Sequence, residues 1–129
     1  ISVKSIQSDN KFTLLIEHDG FKRCSSNLAS HTRSFIFNEN GLIITDEFDG
    51  KGTFDMESSF QFSRYTEYDV TCSSVNIESN KSNFMGSESP YIGWRSKAFG
   101  KKDASLTKTY KAIIKIPTRI EYKVYKNNS

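Results

Sequence analysis

The chain has 129 residues, one domain by length and enough for a core that needs no disulfide or metal staple. Its net charge of +3 comes from 18 basic and 15 acidic residues spread along the chain, which singles out no partner and gives no footing for nucleic acid. No apolar run approaches the ~20 residues of a membrane-spanning helix, so no membrane partner is expected. Aromatic content of 13%, charged content of 26% and only two prolines indicate a soluble, mostly β globular chain. The N-terminus lacks a basic-then-apolar signal pattern, and the chain starts at Ile1 rather than at a methionine, the start expected of a processed product or of a fragment of a longer protein.

In chain order, residues 11–17 alternate Phe12, Leu14 and Ile16 against Lys11, Thr13 and Glu17, which predicts a strand. Asp19-Gly20 turns it, Phe21-Lys22-Arg23-Cys24 reads as a return strand, and residues 25–30 form a polar connection. Residues 33–62 then read as three consecutive strands. Ser34-Phe35-Ile36-Phe37 is closed by Asn38-Glu39-Asn40-Gly41, whose Asn-Gly pair is a strong hairpin signal. Leu42-Ile43-Ile44-Thr45-Asp46, apolar on both faces, suits a central strand, and Asp49-Gly50-Lys51-Gly52 reads as a tight turn. From Phe54 the apolar Phe54, Met56, Phe60 and Phe62 alternate with Asp55, Glu57, Ser59 and Gln61, a period of two with one buried face.

Beyond Phe62 the pattern loosens. Residues 65–77 carry Val70, Cys72, Val75 and Ile77 around Ser73-Ser74, a possible bulge. Residues 79–83 and 87–90 read as polar loops, and residues 91–99 hold the sole tryptophan, Trp94. A second amphipathic strand sets Leu106, Tyr110, Ala112, Ile114 and Ile116 against Thr107, Thr109, Lys111 and Lys115. Pro117 interrupts it, and Ile120, Tyr122 and Val124 form a last strand. With no repeat, no heptad and no long helix, about nine or ten strands favour an all-β, two-layer antiparallel β-sandwich spanning residues 1–129 over a barrel.

Sites are few. His18 and His31 lack metal-ligand spacing, and no nucleophile elbow or phosphate-cradling glycine loop is present, so no cofactor is expected. Cys24 and Cys72 are compatible with one disulfide, although each is as readily a small buried residue. The acids Asp46, Glu47, Asp49 and Asp55 suggest paired carboxylates for glycoside hydrolysis, against the plainer reading of a solvated hairpin end. His31-Thr32-Arg33 is a polar strand start that doubles as a candidate binding triplet. Tyr91, Trp94 and Arg95 offer an aromatic platform for a sugar ring with an arginine for its carboxylate, unless Trp94 only closes one end of the core. No catalytic residue is assigned. The carbohydrate-binding candidates are Tyr91, Trp94, Arg95, His31 and Arg33.

The order His31-Thr32-Arg33, then the run Gly41-Leu42-Ile43-Ile44-Thr45-Asp46-Glu47-Phe48-Asp49-Gly50-Lys51-Gly52, then Phe60-Gln61-Phe62, resembles the β-rich C-terminal region of heparinase II/III-like proteins. There a His-x-Arg strand, an apolar strand ending in Asp before a Gly-rich turn, and an aromatic strand follow one another. Trp94-Arg95-Ser96-Lys97-Ala98-Phe99-Gly100 is similar to the family's Ser-x-x-Tyr-Gly signature, with Phe99 for the usual Tyr, and Gln61 stands where members often have His. The resemblance covers about residues 12–125.

It implies the C-terminal piece of a polysaccharide lyase that cleaves uronic-acid polysaccharides by β-elimination, in the periplasm or outside the cell. A base takes the C5 proton, the uronate carboxylate is neutralised, and a Tyr or His protonates the leaving oxygen. In the family these groups come from a helical toroid and from a preceding His-x-His-x-Asp-like stretch that also serves a structural zinc. Neither is present here, so the resemblance gives this chain no catalytic residue and no zinc ligand. Its implied partners are acidic polysaccharide, met through the whole protein, and the missing catalytic domain of the same chain. A carbohydrate-binding module and an adhesion-type sandwich bridged by Cys24 and Cys72 remain as alternatives.

Overall fold

A computed structural model of the chain describes residues 1–23, 25–39, 41–96 and 100–127. The strands are β1 (Ser2–Ser8), β2 (Lys11–His18), β3 (Leu28–Asn38), β4 (Gly41–Phe62), β5 (Tyr68–Cys72), β6 (Lys81–Met85), β7 (Ser87–Glu88), β8 (Tyr91–Ile92), β9 (Trp94–Arg95), β10 (Asp103–Ala104) and β11 (Leu106–Lys126). Two short helical pieces, a 3-10 turn at Gly20–Arg23 and α1 (Val75–Glu78), join them. Among the described residues no helix is long and apolar enough to cross a membrane.

Two layers arise from one antiparallel sheet folded over on itself. Its order is β1-β2-β3-β4-β11-β5, with β6 also paired to β11. β4 and β11 pair from Leu106↔Phe62 to Val124↔Leu42. Laid straight, such a strand would run about 70 Å. Yet Tyr110 and Tyr122, twelve positions apart on β11, have ring centroids 5.3 Å apart, so the ribbon doubles back. The bend lies where Ile116 faces Gly52 and Thr118 faces Phe48, leaving Asp49, Gly50 and Lys51 opposite Pro117 alone. Gly50 has φ of 129°, and a Cβ there would sit 2.0 Å from the Asn27 carbonyl oxygen. That carbonyl accepts the Lys51 N–H at 2.9 Å, so only glycine lets the bend seat this closely.

The first half of β4 and the second half of β11 thus form one layer with β1, β2, β3 and β5. Their remaining halves form the other layer with β6. Between them Met56, Phe60, Ile114 and Ile116 share a cluster with Ile44, Tyr110, Ile120 and Tyr122, and Phe54 and Phe62 pack against it. The alternation through β4 is the one the sequence predicts, with Asp55, Glu57, Ser59 and Gln61 outside. Ile77 of α1 closes one flank, where Glu78 accepts the Cys72 N–H at 2.7 Å and the Tyr110 hydroxyl at 2.9 Å. On the same flank Lys81 of β6 and Lys108 of β11 both donate to Asp69 of β5, tying the layers together.

Several sequence expectations are corrected. Asp49-Gly50-Lys51-Gly52 is a bend inside one strand, not a hairpin turn, because both flanking segments pair with the same partner, β11. Residues 21–23 belong to a 3-10 turn rather than a return strand, with the Lys22 N–H bonded to the Asp19 carbonyl at 3.0 Å; Cys24 lies outside the described residues. The return strand is β3, which starts inside the expected 25–30 connection. Ser73-Ser74 leads into α1 instead of a bulge, and the expected loops at 79–83 and 87–90 contribute β6 and the β7–β8 hairpin. Pro117 shifts the register of β11 without ending it. β1, exposed along its whole length, has no counterpart in the sequence pattern because no face of it is buried.

Candidate functional site

Antiparallel register places His18 of β2 beside His31 of β3, and His31 beside Phe48 of β4; one step along the same face, Arg33 lies beside Asp46. Asp46 is 3% exposed. Its Oδ1 accepts His31 Nε2–H at 2.8 Å and Arg33 Nε–H at 2.7 Å, and its Oδ2 accepts Arg33 Nη2–H at 2.7 Å. Such a bidentate pair is the strongest arrangement these groups can make. His31 stacks on Phe48 with centroids 4.6 Å apart and planes 8° apart, and Arg33 lies over Phe60 at 5.7 Å.

The direction of every bond in this chain is fixed. The Gly20 N–H donates to His18 Nδ1 at 3.1 Å, so His18 Nε2–H donates to His31 Nδ1 at 2.9 Å, and His31 Nε2–H donates to Asp46. Both rings are neutral in this arrangement, and neither keeps an unshared lone pair. Burial opposes ionisation of Asp46, but the hydrogen bonds from Arg33 and His31 outweigh it and hold the carboxyl below the usual range. Asp46 in turn raises the already high value of Arg33.

A carboxylate with a lowered folded-state pKa contributes stability above its unfolded value, and that contribution is lost as pH falls through the folded one. Asp69, lowered by Lys108, the Val70 N–H and Lys81 against the cost of burial, adds in the same sense. Stability is therefore expected to hold from neutrality down to about pH 4 and to fall below it. Urea unfolding as a function of pH checks this, and Asp46→Asn should flatten the acid limb; an unchanged limb in that variant would contradict the assignment.

His31 and Arg33, expected as ligand contacts, are thus brought together but engaged with Asp46. Asp46 itself, expected among solvated acids, is buried, while Glu47 turns outward to Arg119 at 3.5 Å and Asp49 accepts the Gly50 N–H at 2.9 Å. Asp46 and Glu47 point to opposite faces, so this segment presents no acid pair. Two tyrosines are equally withdrawn. Burial pushes the Tyr122 phenol up to about 12, and burial together with Glu78 raises Tyr110. Cys72 is a buried free thiol.

Tyr91 and Trp94 meet elsewhere. Phe60 faces Arg33 inside the sandwich, and Gln61, next on β4, points outward and donates to the Trp94 carbonyl at 2.6 Å and to Ser105 Oγ at 3.0 Å. The two rings are nearly parallel, with centroids 5.8 Å apart and planes at 19°. Lys102, which the sequence did not single out, lies over both. Arg95 faces Asp103 across the β9–β10 ladder with its Nε buried. Phe99 and its part of the Ser-x-x-Tyr-Gly likeness lie outside the described residues. Among the described residues no group of three or more His, Cys, Asp or Glu side chains is placed to hold a metal ion.

The fold and site thus define an all-β, antiparallel sandwich with His31 and Arg33 bonded to a buried Asp46, and comparison with known proteins gives the family. The family model for the heparinase II/III-like C-terminal region matches residues 1–119, and the chain belongs to that family. Its fold is similar to that of a heparinase III gene product, with TM-score 0.66 and 18% identity over 97% of this chain and 22% of that one. It is also similar to heparan sulfate lyase HepC from Pedobacter heparinus, with TM-score 0.63 and 15% identity over 98% of this chain and 22% of that one. The chain therefore spans about a fifth of the length of these structures. No curated protein gives a significant match.

Proposed function

We propose that this chain acts as the non-catalytic C-terminal β-sandwich of a heparinase II/III-like polysaccharide lyase, packing beside the catalytic domain of the same protein, which would cleave uronic-acid-containing polysaccharide by β-elimination. One observation carries the non-catalytic role: the groups of this chain that resemble elimination machinery are already consumed by one another. His18 and His31 have both ring nitrogens bonded, and Arg33, the natural neutraliser of a sugar carboxylate, is held bidentately by Asp46. Elimination needs a base, an acid and a neutraliser open to one sugar. Here the base would first have to give up a bond in a half-buried stack.

The chain alone is expected to release no unsaturated uronate from heparin-like or alginate-like polysaccharide. Absorbance of the conjugated double bond, followed for a day with the chain in excess, tests this. Sustained growth that disappears in His31→Gln would make the chain a lyase in its own right.

A further inference from the structure

We propose that Tyr91, Trp94 and Lys102 form an accessory binding site for a uronate-bearing sugar, on the outer face of the sandwich and apart from the His31–Asp46 group. The choice of uronate rests on the lyase reading above; the geometry stands on its own residues. Trp94 is held firmly. Its indole N–H donates to the Ser87 carbonyl at 2.8 Å, its carbonyl accepts Gln61, and its ring rests against Gly86, where a Cβ would come within 3.5 Å of it. Gly93, just before it, has φ of 85° and carries a carbonyl that accepts both Gly86 N–H and Ser105 N–H at 2.8 Å. The β7–β8 hairpin then sets the Tyr91 ring alongside.

Tyr91 is 63% exposed, so the platform opens to solvent. The Lys102 ammonium sits 4.1 Å from the Trp94 ring centre and 4.8 Å from that of Tyr91, and donates to the Tyr91 hydroxyl at 2.9 Å. Among the described residues no carboxylate is paired with it. Two near-parallel rings with an exposed cation folded across them match a pyranose that carries a carboxylate. The C–H face of the sugar stacks on the rings, and the carboxylate takes the ammonium away from them. A neutral sugar gains only the first contact and a ring-free polyanion only the second, so uronate is preferred to both.

Trp94 is the only tryptophan, so intrinsic fluorescence reads the site directly. The chain is titrated at constant ionic strength with an unsulfated uronate hexasaccharide, a neutral hexasaccharide and polyglutamate. The expected result is a saturable change in emission with the uronate, at least about tenfold weaker for both comparison ligands and for Tyr91→Ala. Lys102→Ala should bring uronate binding down to the neutral level, and Lys102→Arg should keep the preference. Tyr91→Ala removes an exposed side chain, and an unchanged urea midpoint verifies that it folds. No saturable change with uronate, an equal response to polyglutamate, or wild-type binding by Tyr91→Ala would each overturn the proposal. Such a failure leaves the lyase-module reading standing, since that is judged by elimination product and not by binding.

Discussion

Asp46→Ala is expected to destabilise the fold by about 3–5 kcal/mol, the usual cost of removing one partner from a buried ion pair. Asp46 is 3% exposed, and without it the Arg33 guanidinium and the His31 Nε2–H lose their acceptor between Phe48 and Phe60. The penalty is mainly that of stranding a charge, so Asp46→Asn, which keeps an acceptor oxygen, should cost less. Against a total stability of about 5–15 kcal/mol, the alanine variant loses a large share. Urea unfolding measures it; a loss under about 1 kcal/mol would mean that water solvates the network and that the pair is a surface one.

Phe60→Ala should cost a similar ~3–5 kcal/mol, for a different reason. Phe60 touches both tyrosines of the core, with centroids 4.9 Å from Tyr122 and 6.1 Å from Tyr110, and it roofs Arg33. Emptying that site opens a cavity where the two layers meet. Because Phe60 and Asp46 both bear on Arg33, the double variant should lose less than the sum of the singles. Strict additivity would mean that Phe60 and Asp46 do not act through Arg33, and a loss below about 1 kcal/mol for Phe60→Ala would place Phe60 outside the interlayer contact.

The second half of β4 was legible because one of its faces is buried and its apolar residues recur with period two. What lies between the halves was not. Asp49-Gly50-Lys51-Gly52 has turn composition, and only pairing with β11 around Pro117 makes it a bend within a strand. The same pairing turned two predicted C-terminal strands into one. His18 could not be assigned from sequence, since its partner stands thirteen positions away and is reached only through the β2–β3 register. Asp46 left only a partial sign: it shares a face with Ile44 and Glu47 falls on the other, but Thr45 on that second face is buried as well, so alternation alone did not mark Asp46 as the inward acid.

The register also gives a physical reason for the two motifs that carried the family resemblance. The His-x-Arg of one strand and the Asp ending the next are hydrogen-bonded neighbours across the β3–β4 ladder, so each is needed to satisfy the other. Gln61, a departure from the family pattern, has a role of its own, since it bolts the Trp94 segment to β4. Lys102 stayed unseen because nothing in the run Gly100-Lys101-Lys102-Asp103 says which lysine folds back over an aromatic pair.

A structural role, with no part in the proposed elimination, is expected for the His18–His31–Asp46–Arg33 chain. Its most direct test is turnover of uronate polysaccharide by the whole protein carrying His31→Gln, with rates expressed per folded molecule and the unfolding midpoint measured alongside. A structural role predicts a lowered midpoint with kcat within about twofold of wild type. A fall in kcat of about a hundredfold or more at an unchanged midpoint, the size of effect that loss of a general acid or base produces, would contradict it.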